Sequence, residues 1–303
     1  MSNSRRKTNY TKPHLSIEQQ ILQLESRGLY FENIEKAKHY LSHINYYRLT
    51  AYWLPYEDNH STHQFKPNIF FEDIIKDYVF DRELRLLVLD AIERIEVSVR
   101  TKMTHVLTEK YGSHPQLYPE IFHCPLQYAK SLNKLHGEYL RSKEIFIKHF
   151  KDNYLEKIPP MWVAVELMTL GQISHWYSNI KERSDRKEIS KLYNIDELSL
   201  KSFLHNLTII RNISAHHARL WNRRFTFSLK LARNPEELSQ SFNKNSDDIK
   251  SLYNILVFIK HFMDKINPEH QWGDRLKILL ERSEINTLAM GFPTNWEELP
   301  IWT

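Results

Sequence analysis

The chain has 303 residues, enough to bury a sizeable core as one large or two modest domains, and 41% hydrophobic residues place it among globular proteins. A single cysteine, Cys124, excludes an internal disulfide and a cysteine-based zinc site and fits a reducing, cytoplasmic setting, while only 6 glycines argue against doubly wound and all-β folds. The net charge of +5 and pI near 9.0 favour an anionic partner, and the lack of an apolar leader or of a run of about 18 apolar residues predicts neither secretion nor a membrane span.

Residues 1–12 are polar and basic and read as a disordered arm. A helix is expected from Ser16, where Gln19 three residues on completes a capping-box pattern; Ile17, Ile21, Leu22 and Leu24 form its stripe and Gly28 its stop. A second helix carries Ile34, Ala37, Tyr40, Leu41 and Ile44. Tyr46, Tyr47, Tyr52 and Trp53 then crowd around Arg48. Residues 13–58 thus form an N-terminal helical unit, in which packing is expected to use most of the rings. Tyr46, Tyr47 and Arg48 are its candidate RNA contacts.

Residues 54–70 read as loop. From Phe71 a three-four apolar repeat runs through Ile74, Phe80, Leu84, Leu87, Val88, Ala91, Ile92, Ile95, Val99 and Met103, predicting a long helix. Its other face carries Arg85, Glu93, Glu96 and Arg100, read either as solvated i,i+4 pairs or as a lining of the site. A weaker helix is expected over residues 128–153 and a very apolar one over 161–177. The next holds Leu200, Phe203, Leu204, Leu207 and Ile210, and the last strong one runs over 248–266, after a loop at 226–248. Residues 59–270 therefore read as an all-α core, and 271–303 as a short C-terminal helix with an aromatic tail.

The chemistry concentrates in residues 211–225, RNISAHHARLWNRRF, which hold four arginines, two histidines, two asparagines and no carboxylate. On a regular helix Asn212 and His216 share one stripe, whereas Arg211 lies about 140° round the axis from His216 and roughly 7.5 Å along it. RNA cleavage needs a base for the ribose 2′-OH, a cation for the phosphorane-like transition state and an acid for the leaving 5′-oxygen. Histidine can act as base or acid near neutral pH, and arginine offers a permanently charged fork to phosphate. One copy is thin for all three roles, so a two-fold homodimer with a composite site is expected. Arg219, Arg223 and Arg224 read as RNA-backbone contacts or surface charge. A metal site is not expected, since adjacent histidines on a helix diverge by about 100° and no Asp, Glu or Cys set accompanies them.

The run Arg211-Asn212-Ile213-Ser214-Ala215-His216 resembles the R-(polar)-x3-H motif of the HEPN superfamily, which the type VI CRISPR effector nucleases share. Further blocks are similar to the Abi-like abortive infection proteins, the AbiD/AbiF group of bacterial phage-resistance proteins. They are Lys12-Pro13 with Leu15-Ser16, Gly28-Leu29, Ile44 to Leu49, Phe80-Asp81-Arg82-Glu83-Leu84-Arg85, Ile92 to Glu96, Arg100-Thr101, His216 to Asn222 and Met290-Gly291-Phe292-Pro293.

This resemblance implies a HEPN-type helical bundle core with a small N-terminal helical extension. It also implies a metal-independent endoribonuclease without a cofactor, acting in phage defence by 2′-OH attack to leave a 2′,3′-cyclic phosphate. Carried over, Arg211 and His216 are the catalytic pair and Asn212 the polar neighbour; His217, Glu96 and Arg100 are supporting candidates without assigned chemistry. RNA is the implied substrate and a structured small RNA a candidate partner. The rival reading is a non-cleaving RNA-binding module of the same superfamily that holds a regulatory small RNA.

Overall fold

The computed structural model describes residues 9, 11, 13–245 and 248–303, so the arm expected over residues 1–12 falls largely outside the described residues. The fold is all-α: thirteen α-helices and one two-stranded hairpin are formed among the described residues. No described helix is long and apolar enough to cross a membrane. The chain divides into two compact units, residues 1–80 and 81–303.

In the first unit, α1 (Ile17–Ser26) starts on the expected capping box, in which the Ser16 hydroxyl accepts the Gln19 N–H and the Gln19 side chain accepts the Ser16 N–H. It stops at Gly28, whose φ of +89° suits a residue without a Cβ; Gly28 N–H donates to Glu25 O and Leu29 N–H to Leu24 O, a Schellman closure. Asn33 and Asn45 cap α2 (Ile34–His43) and α3 (Tyr46–Trp53). The segment expected as loop contains a hairpin, β1 (Glu57–Asn59) with β2 (Gln64–Phe65). Its polar run hides this because the pairing is set by a side chain, the buried Glu57 carboxylate, which His60 Nδ1 and His63 Nδ1 hold at 2.9 and 3.1 Å.

The long helix is α4 (Phe71–Tyr111), and the stripe from Leu84 to Met103 is buried as its spacing predicts. Each fully buried side chain of that row contributes roughly 1.5–3 kcal/mol. In the second unit the expected 128–153 helix is two, α5 (Pro125–Arg141) and α6 (Ile145–Asn153). Ser142 and Glu144 are extended between them, and Lys151 Nζ closes the freed end of α5 by donating to Tyr139 O at 2.9 Å.

The expected 161–177 helix is also broken, into α7 (Met161–Ala164) with a 3-10 turn and α8 (Leu170–Asn179). The apolar run continues across the break, but Thr169 and Gln172 form a second capping box, which turns Met168 to an extended conformation and starts a new helix.

After α9 (Arg183–Lys191) comes α10 (Glu197–Ala215), started by the Asp196 carboxylate, which accepts the Leu198 and Ser199 N–H groups. The region read as loop over 226–248 contains α11 (Glu236–Ser241), and the last strong helix, α12 (Tyr253–Ile266), begins later than its spacing predicts. Phe203 of α10 stacks on Phe258 of α12 at 5.0 Å between centroids and lies 4.6 Å from Phe262. α13 (Trp272–Ser283) is tied to α4 where Trp272 Nε1–H donates to Leu87 O at 2.8 Å. Gly171 lets α8 lie close to α10, since a Cβ there would come within 3.2 Å of the Thr208 methyl group.

Candidate active site

α10 delivers the Arg–His cluster in its last turn. Leu200, Phe203, Leu204, Leu207 and Ile210 bury one face, so Arg211, Asn212 and His216 come out at the end of an anchored rod. Asn212 and His216 fall along one stripe, and the His216 N–H donates to the Asn212 carbonyl at 3.0 Å. Arg211, half-buried, reaches round to Asn212, its guanidinium donating to Asn212 Oδ1 at 3.2 Å. Asn212, His216 and His217 are exposed.

The helix ends in a Schellman motif built on His217. His216 is the C-cap, His217 N–H donates to Ser214 O at 3.1 Å, and Ala218 N–H donates to Ile213 O at 2.9 Å. His217 therefore occupies the position after the cap in the left-handed region, φ +57°, where glycine is the usual occupant. A non-glycine residue there costs of order 1–3 kcal/mol. That conformation was not visible in the residue string, because histidine does not mark a left-handed turn as glycine does.

The chain leaving this turn is clamped from α4. The buried Asp81 carboxylate accepts the Leu220 N–H at 3.0 Å and the Trp221 N–H at 2.6 Å, and its other oxygen takes the Arg85 guanidinium. Leu220 and Trp221 are themselves buried. Sequence reasoning assigned Asp81 no role and placed Arg85 on the polar face of the long helix, whereas Arg85 is buried against Asp81; the available signal was a carboxylate and a guanidinium at i,i+4 beside a row of core positions.

Glu96 and Arg100 stand one turn apart on α4. Both are only partly exposed, and they are hydrogen-bonded to one another. Arg100 also donates to the Met168 carbonyl and lies 3.7 Å from Glu166, while the backbone N–H of Leu170 at the start of α8 favours the charged form of Glu96. This pair thus fastens the α7–α8 break, and the fully solvated reading of this face does not hold for it. Burial pushes the Glu96 carboxyl up, and the Arg100 and Arg211 guanidiniums pull it back down, which sets Arg211 within electrostatic reach of Glu96. Glu93 is exposed, and Arg94 lies 3.5 Å from Asp90 on the solvated side.

The remaining cations divide. The Arg219 guanidinium lies 6.0 Å from the Trp221 ring centroid, and the Arg219 carbonyl accepts from the Arg223 guanidinium at 3.2 Å. Arg224 is exposed, 4.0 Å from Asp248. In the first unit, the Tyr46 hydroxyl accepts from Arg27 at 3.0 Å and its ring meets Trp53 edge-on, so Tyr46 is a packing residue. Arg48 lies over the Tyr78 ring at 5.8 Å, and Tyr47 is 83% exposed. Among the described residues no group of three or more His, Cys, Asp or Glu side chains is placed to hold a metal ion.

A family model described as Abi-like protein matches residues 39–222, more than half of the chain, taking in Glu96, Arg100 and the whole Arg211–Asn222 stretch. No curated protein and no solved structure gives a significant match.

Proposed function

The chain belongs to the Abi-like protein family, and on that premise we propose that it is an abortive-infection protein of bacterial phage defence that works as a metal-independent endoribonuclease of the HEPN superfamily. The observation that carries the reading is the placement of Arg211, Asn212 and His216 together at the exposed end of an anchored helix. His216 supplies the imidazole that takes or gives a proton. Arg211 brings a fixed positive charge to the phosphodiester, and Asn212 holds the guanidinium while leaving its own amide group to donate. The 2′-oxygen attacks phosphorus and the 5′-oxygen leaves, giving a 2′,3′-cyclic phosphate. Two copies meeting as a homodimer would double the guanidiniums and imidazoles at the cleft. Exposed Arg224 and Tyr47 are the surface groups best suited to RNA backbone and bases.

The test is replacement of Arg211 and His216 by Ala, singly and together, with folding checked by circular dichroism and RNA cleavage and phage restriction assayed in EDTA. The expected result is loss of both activities and, in the parent, products with cyclic-phosphate ends. A double variant that still cleaves and protects removes the assignment. Tight RNA retention by the parent with no cyclic-phosphate ends favours the non-cleaving RNA-holding role.

A further inference from the structure

We propose that a cationic pocket beside the first turns of α10 is a second RNA subsite, which holds a phosphate of the same strand several nucleotides away from the one cut at Arg211 and His216. This rests on RNA being the substrate of that site, as proposed above.

Residues 198–235 hold seven Lys and Arg and no Asp or Glu, although the whole chain has 37 acidic residues against 42 basic ones. A solvated helix face ordinarily mixes the two signs. α8, which packs along α10, carries no Lys, Arg, Asp or Glu at all. The two helices run antiparallel. At one end a Cβ on Gly171 would meet the Thr208 methyl group, and at the other the Tyr177 hydroxyl donates to the Glu197 carbonyl at 3.1 Å. Between these ends the seam presents no carboxylate to a polyanion.

Exposed side chains follow the seam. On α10, His205 lies about 40° round the axis from Lys201, and Asn212 about 20° round and roughly 16 Å along. All three are exposed, as is His175 of α8. The stripe therefore leads from Lys201 to the Arg211–Asn212–His216 cluster. A strand with one phosphate at each end spans about five nucleotides if they stack at about 3.4 Å each, and fewer if it is extended.

At the Lys201 end lies a cavity of about 640 Å³, lined by Lys181, Arg186, Lys201 and His123, with Glu120 as its one carboxylate. Its floor is fixed by backbone. Phe122 and Ile180 form an antiparallel bridge, and the Lys181 N–H donates to Ile121 O at 2.7 Å. The Arg186 guanidinium is tied to the Ile180 and Lys181 carbonyls. Lys181 and Lys201 are exposed, and among the described residues their side chains make no hydrogen bond or ion pair. Two uncommitted ammonium groups over a rigid floor suit a phosphate, and the exposed Leu198 side chain beside them offers an apolar surface to the ribose or base.

The test compares Lys181→Gln with Lys201→Gln, made together in the full chain, against Lys191→Gln with Lys265→Gln, which removes the same charge at two other exposed positions. KM is measured for an RNA decamer, long enough to reach the pocket, and for a trimer, which is too short. In the parent the decamer is expected to have the lower KM. The pocket pair should erase roughly tenfold of that advantage, and the control pair should keep it. Decamer binding by the same proteins carrying His216→Ala, followed by fluorescence anisotropy, should lose about 0.7 of its log–log salt slope for each phosphate contact removed. A decamer advantage kept by the pocket pair, or lost equally in the control pair, overturns the subsite while the endoribonuclease reading stands, provided that Arg211→Ala and His216→Ala are inactive. If the parent cleaves neither RNA, that reading fails and binding decides. Decamer affinity and salt slope that fall only in the pocket pair keep the pocket as an RNA subsite, and equal values in all three proteins overturn it.

Discussion

The carboxylate of Asp81 accepts the backbone N–H of Trp221 at 2.6 Å, joining positions 140 residues apart in the chain. With the Leu220 N–H on the same oxygen and the Arg85 guanidinium on the other, it is a buried charge with its partners supplied. Asp81→Ala leaves the Arg85 guanidinium without this carboxylate, so a loss of about 3–5 kcal/mol is expected in urea unfolding of the full chain. Asp81→Ala with Arg85→Met should cost less than the sum of the two single changes. Strict additivity would show that the pair does not act as a unit.

Arg211 and Glu96 are coupled electrostatically, and the coupling can be read without any assay of activity. Because Arg211 pulls the Glu96 carboxyl down against the effect of burial, Arg211→Ala should raise the Glu96 pKa further, seen by carbon NMR titration of the carboxyl. An unchanged titration would separate the two groups. Glu96→Gln keeps an acceptor for the Arg100 guanidinium but drops the charge, and on the proposed function cleavage is expected to fall about tenfold, with little change in melting temperature.

His261 sets a pH dependence of stability. Burial lowers its pKa, and Nε2–H donates to the Tyr193 carbonyl at 2.7 Å, so the folded state holds it neutral. The unfolded chain takes up a proton near pH 6.5, where the folded chain does not. The stabilisation is therefore fully present above about pH 6.5 and lost as pH falls from there toward the lowered folded-state pKa. Chemical denaturation across pH 5–7.5 should show this loss, and His261→Gln should flatten it. A slope that survives in the variant would assign the effect to another group.

Gly291 closes the 3-10 turn Thr287–Met290 at φ +83°, and a Cβ there would sit 2.6 Å from the Ser251 Cβ. Gly291→Ala is expected to destabilise by roughly 1–3 kcal/mol, combining overpacking with a disfavoured backbone. Adding Ser251→Gly should recover the part due to the clash and leave the backbone part, which thermal unfolding of the two variants resolves.

Much of this architecture is legible from residue type and spacing. The row from Leu84 to Met103 on α4 and that from Leu200 to Ile210 on α10 carry their period openly, as does the Ser16–Gln19 cap. The pairing of Asn212 with His216 is visible because i,i+4 spacing places residues on one stripe, while Arg211 lies off that stripe and joins them through its bond to Asn212 Oδ1. The break at Met168 is not, since apolar residues continue on both sides and the deciding event is a capping box between Thr169 and Gln172. Nor is the Asp81 clamp, whose remote partners are the backbone amides of Leu220 and Trp221 and carry no side-chain identity. The left-handed turn at His217 is hidden for a related reason, as it depends on how the chain is held on both sides.

That clamp has a consequence for timescale. The amides of Ala218, Leu220 and Trp221 follow the helix and belong to no regular element, yet each is bonded to a fixed acceptor, two of them to a buried carboxylate. Their hydrogen exchange should therefore be as slow as that of the α10 interior rather than that of a loop. On the proposed endoribonuclease reading, a segment held this way before RNA arrives has little reorganisation left to undergo at the moment of reaction, with its dipoles and cations preorganised for a phosphate.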